Sequence, residues 1–169
     1  MSRLFLDSNV LVSGFVVPWS FDRVVLKYCA AHLHQMVYAE AVKIEVERFL
    51  LNYADRHNAD WLLADYDKFI KLARPEEVPY PTESEVRAAR PLIRHMADVP
   101  VLVSAMRASP DWLLTGNTEH FTPAVAARTG LRIAEPGEFV RSINSPHSGS
   151  GEKVMLIKHR TAPPGCSGR

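Results

Sequence analysis

The sequence predicts an α/β domain in which a mainly parallel central sheet is flanked by helices, an α/β/α sandwich. Short apolar runs, "RLFL" at 3–6, "QMVYA" at 35–39 and "DWLL" at 111–114, alternate with longer stretches whose apolar residues recur at helical spacing. Strands alternating with helices imply right-handed crossovers and hence parallel neighbours. The chain has 169 residues, enough to bury one real core.

The elements follow in order. Residues 3–6 read as a buried strand. Residues 21–32 place Phe21, Val24, Val25, Tyr28 and Cys29 on one helical face, and residues 35–39 form a second strand. Over residues 40–53 the stripe Val42, Val46, Phe49, Leu50 and Tyr53 marks a helix. A further helix at 59–73 stops at "RPEEVPYP", whose prolines block continuation. Thr82 with Glu85 three residues later is a capping box opening a helix to about residue 95. Another helix covers 99–108, "DWLLTG" is a strand ending in a glycine turn, "LRIAEP" is the last strand, and "GEFVRSI" is a closing helical turn. Trp19, Trp61 and Trp112 are read as packing residues. Residues 1–143 thus form the domain, and 144–169 read as a linker-like tail. Within that tail "KVMLIK" suits a lone added strand, a partner-binding segment or, the preferred reading, a solvated stretch.

Apolar residues make up 47% and charged residues 23%, as in ordinary globular proteins. The net charge of +1 announces no polyanion partner, so nucleic acid would have to meet a local patch. Arg87, Arg90 and Arg94 recur at helical spacing and offer a weak one, with a solvated face as the plainer account. No apolar run approaches a membrane span, no secretory signal opens the chain, and Cys29 and Cys166 suggest no disulfide. A cytoplasmic protein is expected.

In a parallel α/β sheet, ligands bind beyond the carboxyl ends of the strands. Asp7 stands at such an end, and the turn after "DWLLTG" carries Asn117 and Glu119 to another. Glu45 lies early in the helix after the second strand and leans back toward the same edge; it borders the apolar stripe more closely than Glu40 or its rival Glu47. Asp98 precedes the helix beginning "VPVLVSAM" and is placed to point the same way. Gathered carboxylates repel, so the cluster either titrates or holds a cation. Oxygen ligands suit Mg²⁺ or Mn²⁺, ions that activate water for phosphodiester hydrolysis.

The same segments resemble PIN-domain ribonucleases. "LFLDSNVLVSG" is similar to that family's opening strand and Asp-Thr-Asn turn, "AVKIEVERFL" to its acidic helix, and "ADVPVLVSAM" to the segment of its second aspartate. "DWLLTGNTEHF" resembles its Thr-Gly-Asp or Thr-Arg-Asn turn, and "RIAEPGEFV" its closing strand and Pro-x-x-Phe turn. The resemblance spans about residues 3–141. It implies a metal-dependent endoribonuclease fold with Asp7, Glu45 and Asp98 as metal ligands and catalytic residues, Asn117 in the fourth position, and Mg²⁺ or Mn²⁺ as cofactor. It also implies an RNA substrate and, as in VapC-like toxins, a cognate antitoxin and a homodimer.

Two departures stand out. Ser8 replaces the family threonine but keeps the hydroxyl, and Asn117 stands where many relatives carry an acid. Glu119 is placed to compensate, and Ser8 and Asn9 to support. A catalytically weakened RNA- or protein-binding module is therefore the alternative reading. A phosphoacceptor role for Asp7 is weaker, since "DSN" lacks a second aspartate two residues on. Plainer roles compete throughout: Asp7 and Asp98 suit helix caps, Asn117 a left-handed turn, and Glu119 a first-turn acid. His95 and His120 tempt as ligands or bases near the site, but they are read as surface or core filler, because the carboxylate set needs no imidazole.

Overall fold

A computed structural model describes residues 1–145. Its sheet contains β1 (Arg3–Leu6), β2 (Gln35–Ala39), β3 (Glu76–Val78), β4 (Trp112–Leu114) and β5 (Ile133–Ala134). The spatial order is β3-β2-β1-β4-β5, and every neighbouring pair is parallel. The helices are α1 (Ser8–Val16), α2 (Phe21–Ala30), α3 (Glu40–His57), α4 (Trp61–Ala73), α5 (Glu83–Ala89), α6 (Val99–Ala108), α7 (Pro123–Thr129) and α8 (Pro136–Asn144).

The chain steps one way from β1 through β2 to β3, then returns to lay β4 and β5 on the opposite side of β1. With right-handed crossovers, that reversal puts α1–α4 on one face and α5–α7 on the other. The packing agrees: α1 lies against α2 and α3, α4 against α2 and α3, and α5 against α6. Leu4, Phe5 and Leu6 of the central strand have no exposure, which is why β1 reads as an unbroken apolar run. The α1–α2 contact needs Gly14, where a Cβ would sit 2.5 Å from Leu26 Cδ1.

Several expectations are corrected. The "RPEEVPYP" segment is not only a breaker, because Glu76–Val78 pairs with β2 as an edge strand. Its flanking prolines lie outside the ladder, where they cost no hydrogen bond. The helix opened by Thr82 ends at Ala89 rather than near residue 95; Arg90–Leu92 is a 3₁₀ turn with Pro91 inside it. Arg87, Arg90 and Arg94 therefore share no helix face. Helix α7 was not anticipated, although Thr122 at its N-cap, Pro123 in its first turn and Gly130 at φ 72° spell its limits. Trp19 is 97% exposed on the α1–α2 turn and Trp61 is exposed at the start of α4, so neither packs inside. Trp112 is half-buried beneath the Arg132 guanidinium. Phe21 and Phe49 also face outward. No single helix among the described residues is long and apolar enough to cross a membrane. The tail reading, with "KVMLIK" and Cys166, lies outside the described residues.

Candidate metal centre at the strand switch point

Strand order reverses between β1 and β4, so the crevice beyond their carboxyl ends is the natural ligand position. Asp7 and Thr115 occupy it. The Asp7 backbone N–H still reaches the Leu114 carbonyl at 3.0 Å, carrying the β1–β4 ladder one residue beyond the strand. The chain then turns into α1, which Asp7 caps: Ser8 N donates to Asp7 Oδ1 at 2.7 Å. Asp7 Oδ2 accepts from Asn9 Nδ2 at 2.6 Å and from Thr115 Oγ1 at 2.7 Å. Asn9 Oδ1 accepts from Gly116 N at 2.8 Å, and Thr115 Oγ1 accepts from Asn117 N at 2.9 Å. The polar interruption after β1 is thus both a helix cap and a clasp joining two strand ends.

Asp7 is only 4% exposed. Burial pushes its carboxyl above the usual carboxylate range; the Thr115 and Ser8 hydrogen bonds oppose that shift, while the negative charges of Glu45 and Asp98 reinforce it. The charges of Glu45 on α3 and of Asp98 before α6 therefore both act on Asp7 at the end of β1. Glu47 points elsewhere: its carboxylate lies 3.9 Å from Lys43 Nζ and borders a recess with Tyr38 and Glu77. Of the two rival α3 acids, Glu45 is the one whose charge acts on Asp7.

Asp98 closes a 3₁₀ turn, Met96–Asp98, and leads into α6, but its side chain makes no capping hydrogen bond. It turns instead toward two imidazoles. Asp98 Oδ2 lies 2.6 Å from His120 Nδ1 and 3.3 Å from His95 Nδ1. Despite that proximity, Oδ2 is enclosed and accepts no hydrogen bond of proper geometry. His120 Nδ1 also lies 2.7 Å from Asn117 Nδ2, so one ring nitrogen is shared between the Asn117 amide and the Asp98 carboxylate. The two imidazole rings stack with centroids 4.1 Å apart and planes inclined by 13°. His95, Asp98 and His120 form a group able to hold a metal ion, with one ligand atom from each lying within 4.8 Å of the others.

The remaining sequence-predicted residues fall nearby or apart. Asn117 is half-buried and not left-handed; its carbonyl accepts from Phe121 N at 3.0 Å, forming the turn that presents His120. Glu119 is exposed on that turn. Arg87 and Arg90 border a shallow recess with Tyr80 and Pro100, and Arg94 is exposed beyond the 3₁₀ turn. A cleft lined by Asn9, Ser13, Asp22, Gly116 and Asn117 opens beside Asp7. Reading the sequence missed Asp22, which accepts from Ser13 Oγ at 2.8 Å, and also missed Thr115. Thr115 left a signal, as a polar residue ending an apolar strand. His95 and His120 stand out in the sequence as candidate ligands or bases yet read as filler, because nothing local shows that two loops 25 residues apart meet.

No family model and no curated protein matches the sequence. Among solved structures, it is similar to a chain of VapBC2 from Rickettsia felis, crystallised bound to a DNA fragment from the promoter. The TM-score is 0.54 at 17% identity, covering 79% of this chain and 98% of the other. The likeness is one of fold: this chain shares the α/β architecture of that VapBC2 chain.

Proposed function

We propose that the chain is a divalent-metal-dependent endoribonuclease of the PIN type, acting as the toxin of a toxin–antitoxin pair. The observation that carries this reading is Asp7: buried at the strand switch point and subject to the charges of Glu45 and Asp98. Three converging carboxylates, one with an enclosed oxygen lacking a hydrogen bond, fit a divalent cation. Asp7, Glu45 and Asp98 would hold Mg²⁺ or Mn²⁺, with the Asn117 side-chain carbonyl or Glu119 as a further oxygen donor. When bound, such an ion polarises a phosphoryl oxygen and lowers the pKa of the attacking water.

The protein's own part is positioning. Ser8 N, Asn9 Nδ2 and Thr115 Oγ1 fix both oxygens of Asp7 before any ligand arrives, which removes the cost of ordering them later. Asn9 also ties the β4 turn to α1, so Asn117 is held in register with Asp7. Arg87 and Arg90, which border one recess, would meet RNA phosphates, an electrostatic role that salt would weaken. The fold likeness to a VapBC2 chain supports an antitoxin partner, and a homodimer accompanies that reading. Light scattering after gel filtration tests the dimer; a monomer at high concentration refutes it.

The decisive experiment incubates the purified chain with labelled single-stranded RNA and Mn²⁺. Cleavage should require the ion and fall about 100-fold or more in Asp7→Asn and in Glu45→Gln, with folding preserved. Unchanged cleavage by Asp7→Asn overturns the assignment. A second reading, a module weakened in turnover, is favoured by Asn117 standing in the fourth position with its amide engaged by His120. Calorimetry separates the two, since a degenerate site gives negligible heat with millimolar Mn²⁺.

A further inference from the structure

We propose that His95, Asp98 and His120 form a binding site for a zinc-class transition-metal ion that shares Asp98 with the carboxylate rim but takes two imidazoles in place of Asp7 and Glu45. Two loops build it. His95 sits immediately before the 3₁₀ turn Met96–Asp98, where residues three apart are nearly eclipsed, and this brings its ring over the Asp98 carboxylate. His120 arrives from the turn after β4, held by its backbone N–H to the Asn117 carbonyl at 3.3 Å.

The convergence is the argument. Asp98 Oδ2, His120 Nδ1 and His95 Nδ1 approach one another, all within 4.8 Å, and the first of these is enclosed without a hydrogen bond of proper geometry. An enclosed carboxylate oxygen left without a hydrogen bond is costly, and a cation held by these three atoms satisfies it. Two borderline imidazole nitrogens beside one hard carboxylate oxygen form a donor set suited to Zn²⁺ and its neighbours; Mg²⁺ keeps to oxygen ligands and water. Exposure at His95 leaves room for water as a fourth ligand.

Spacing agrees at one edge and defines the adjustment at another. Ligands of a tetrahedral ion at about 2.0–2.1 Å stand about 3.3 Å apart, and His95 Nδ1 and Asp98 Oδ2 are 3.3 Å apart. His120 Nδ1, at 2.6 Å from Oδ2, must withdraw slightly and exchange the Asn117 amide for the ion. The site needs neither Asp7 nor Glu45, and it does not depend on the chain being a nuclease.

The test uses the full chain stripped with chelator, then titrated with Zn²⁺ by calorimetry and with Co²⁺ by visible absorption. Expected are one equivalent of Zn²⁺ bound and Co²⁺ bands of a tetrahedral nitrogen–oxygen site. His95→Ala and His120→Ala should each weaken Zn²⁺ binding at least about 10-fold and alter the Co²⁺ bands. Asp7→Asn should change Zn²⁺ affinity less than about 3-fold. His95 is exposed, so its variant tests the site even if His120→Ala fails to fold. Equal affinity in wild type and His95→Ala, no binding at millimolar Zn²⁺, or loss of binding in Asp7→Asn overturns the proposal. RNA cleavage in Mg²⁺ is scored in parallel: zinc binding without cleavage sinks the nuclease reading alone, and cleavage without zinc binding sinks this one alone.

Discussion

Thr115 on the β4 side donates its hydroxyl proton to Asp7 on the β1 side at 2.7 Å, joining residues 108 positions apart in the chain. Both are buried, and the same hydroxyl accepts from Asn117 N, so one oxygen organises the carboxylate and the turn beside it. Thr115→Val keeps the shape and removes the donor. It should destabilise the fold by about 1–3 kcal/mol in urea denaturation, the cost of stranding a buried acceptor. It should also push the Asp7 carboxyl still higher, because the Thr115 hydrogen bond holds it down. An unshifted Asp7 carbon resonance in an NMR titration would refute that role.

Stability of the metal-free protein should carry the mark of Asp7 in its pH dependence. The folded carboxyl is raised above its ordinary value of about 3.9, so between the two values the folded state holds a proton that the unfolded state has lost. Stability from this group is complete below about pH 3.9 and drains away as pH climbs through the folded value. His34 works oppositely, because burial and the nearby N-terminus lower its imidazole and stability from it grows with pH. Glu85 is held at about 2, chiefly by the Arg107 hydrogen bond, and its contribution disappears only on acidification below the ordinary Glu range. Subtracting Asp7→Asn from wild type cancels both. The difference, read from melts in chelator between pH 4 and 8, should fall with rising pH; a flat difference curve is the refuting result. Millimolar Mn²⁺ should recover the lost stability by favouring the ionised carboxylate.

The sheet was legible because β1 and β2 are apolar on both faces, and buried parallel strands leave an unbroken run that needs no partner to be seen. Strand β3 was hidden for the converse reason: "EEV" pairs along one edge only, and Glu76 and Glu77 stay exposed. Its neighbouring prolines looked like the whole story. The acids of the rim were readable through their places at strand ends and helix starts, which are local facts. The imidazoles drew notice but could not be joined into a site. His95 and His120 acquire meaning only when the 3₁₀ turn before α6 meets the turn after β4, and neither periodicity nor spacing encodes that contact. Trp19 shows the limit of composition: an indole read as core sits almost wholly in solvent, because the α1–α2 turn carries it past the packed faces.

Gly14 sets how closely α1 approaches α2, and so where Ser13 meets Asp22 beside the cleft. An added Cβ would lie 2.5 Å and 2.9 Å from buried Leu26 atoms and 3.3 Å from the Asp22 carbonyl carbon. Alanine improves helix propensity by up to about 1 kcal/mol, but forced overpacking costs about 1–3 kcal/mol. Gly14→Ala should therefore lose on the order of 1 kcal/mol, seen as a lower denaturation midpoint with an unchanged slope. A raised midpoint would show that α2 can simply step aside.

Asn117→Asp asks what the fourth position lacks. Asparagine offers a carbonyl but no charge, and its amide is spent on His120 Nδ1. An aspartate there would add a negative charge to a rim where Glu45 and Asp98 already raise Asp7. Without metal that addition is repulsive, so the variant should melt lower than wild type in chelator. With metal the sign reverses, because affinity for hard cations rises with the number of anionic ligands. The Mg²⁺ concentration for half-maximal RNA cleavage should drop on the order of tenfold. The same change removes the amide nitrogen that lies 2.7 Å from His120 Nδ1. A variant with an unchanged Mg²⁺ requirement would place the fourth donor elsewhere, with the exposed Glu119 next to be tested by Glu119→Gln.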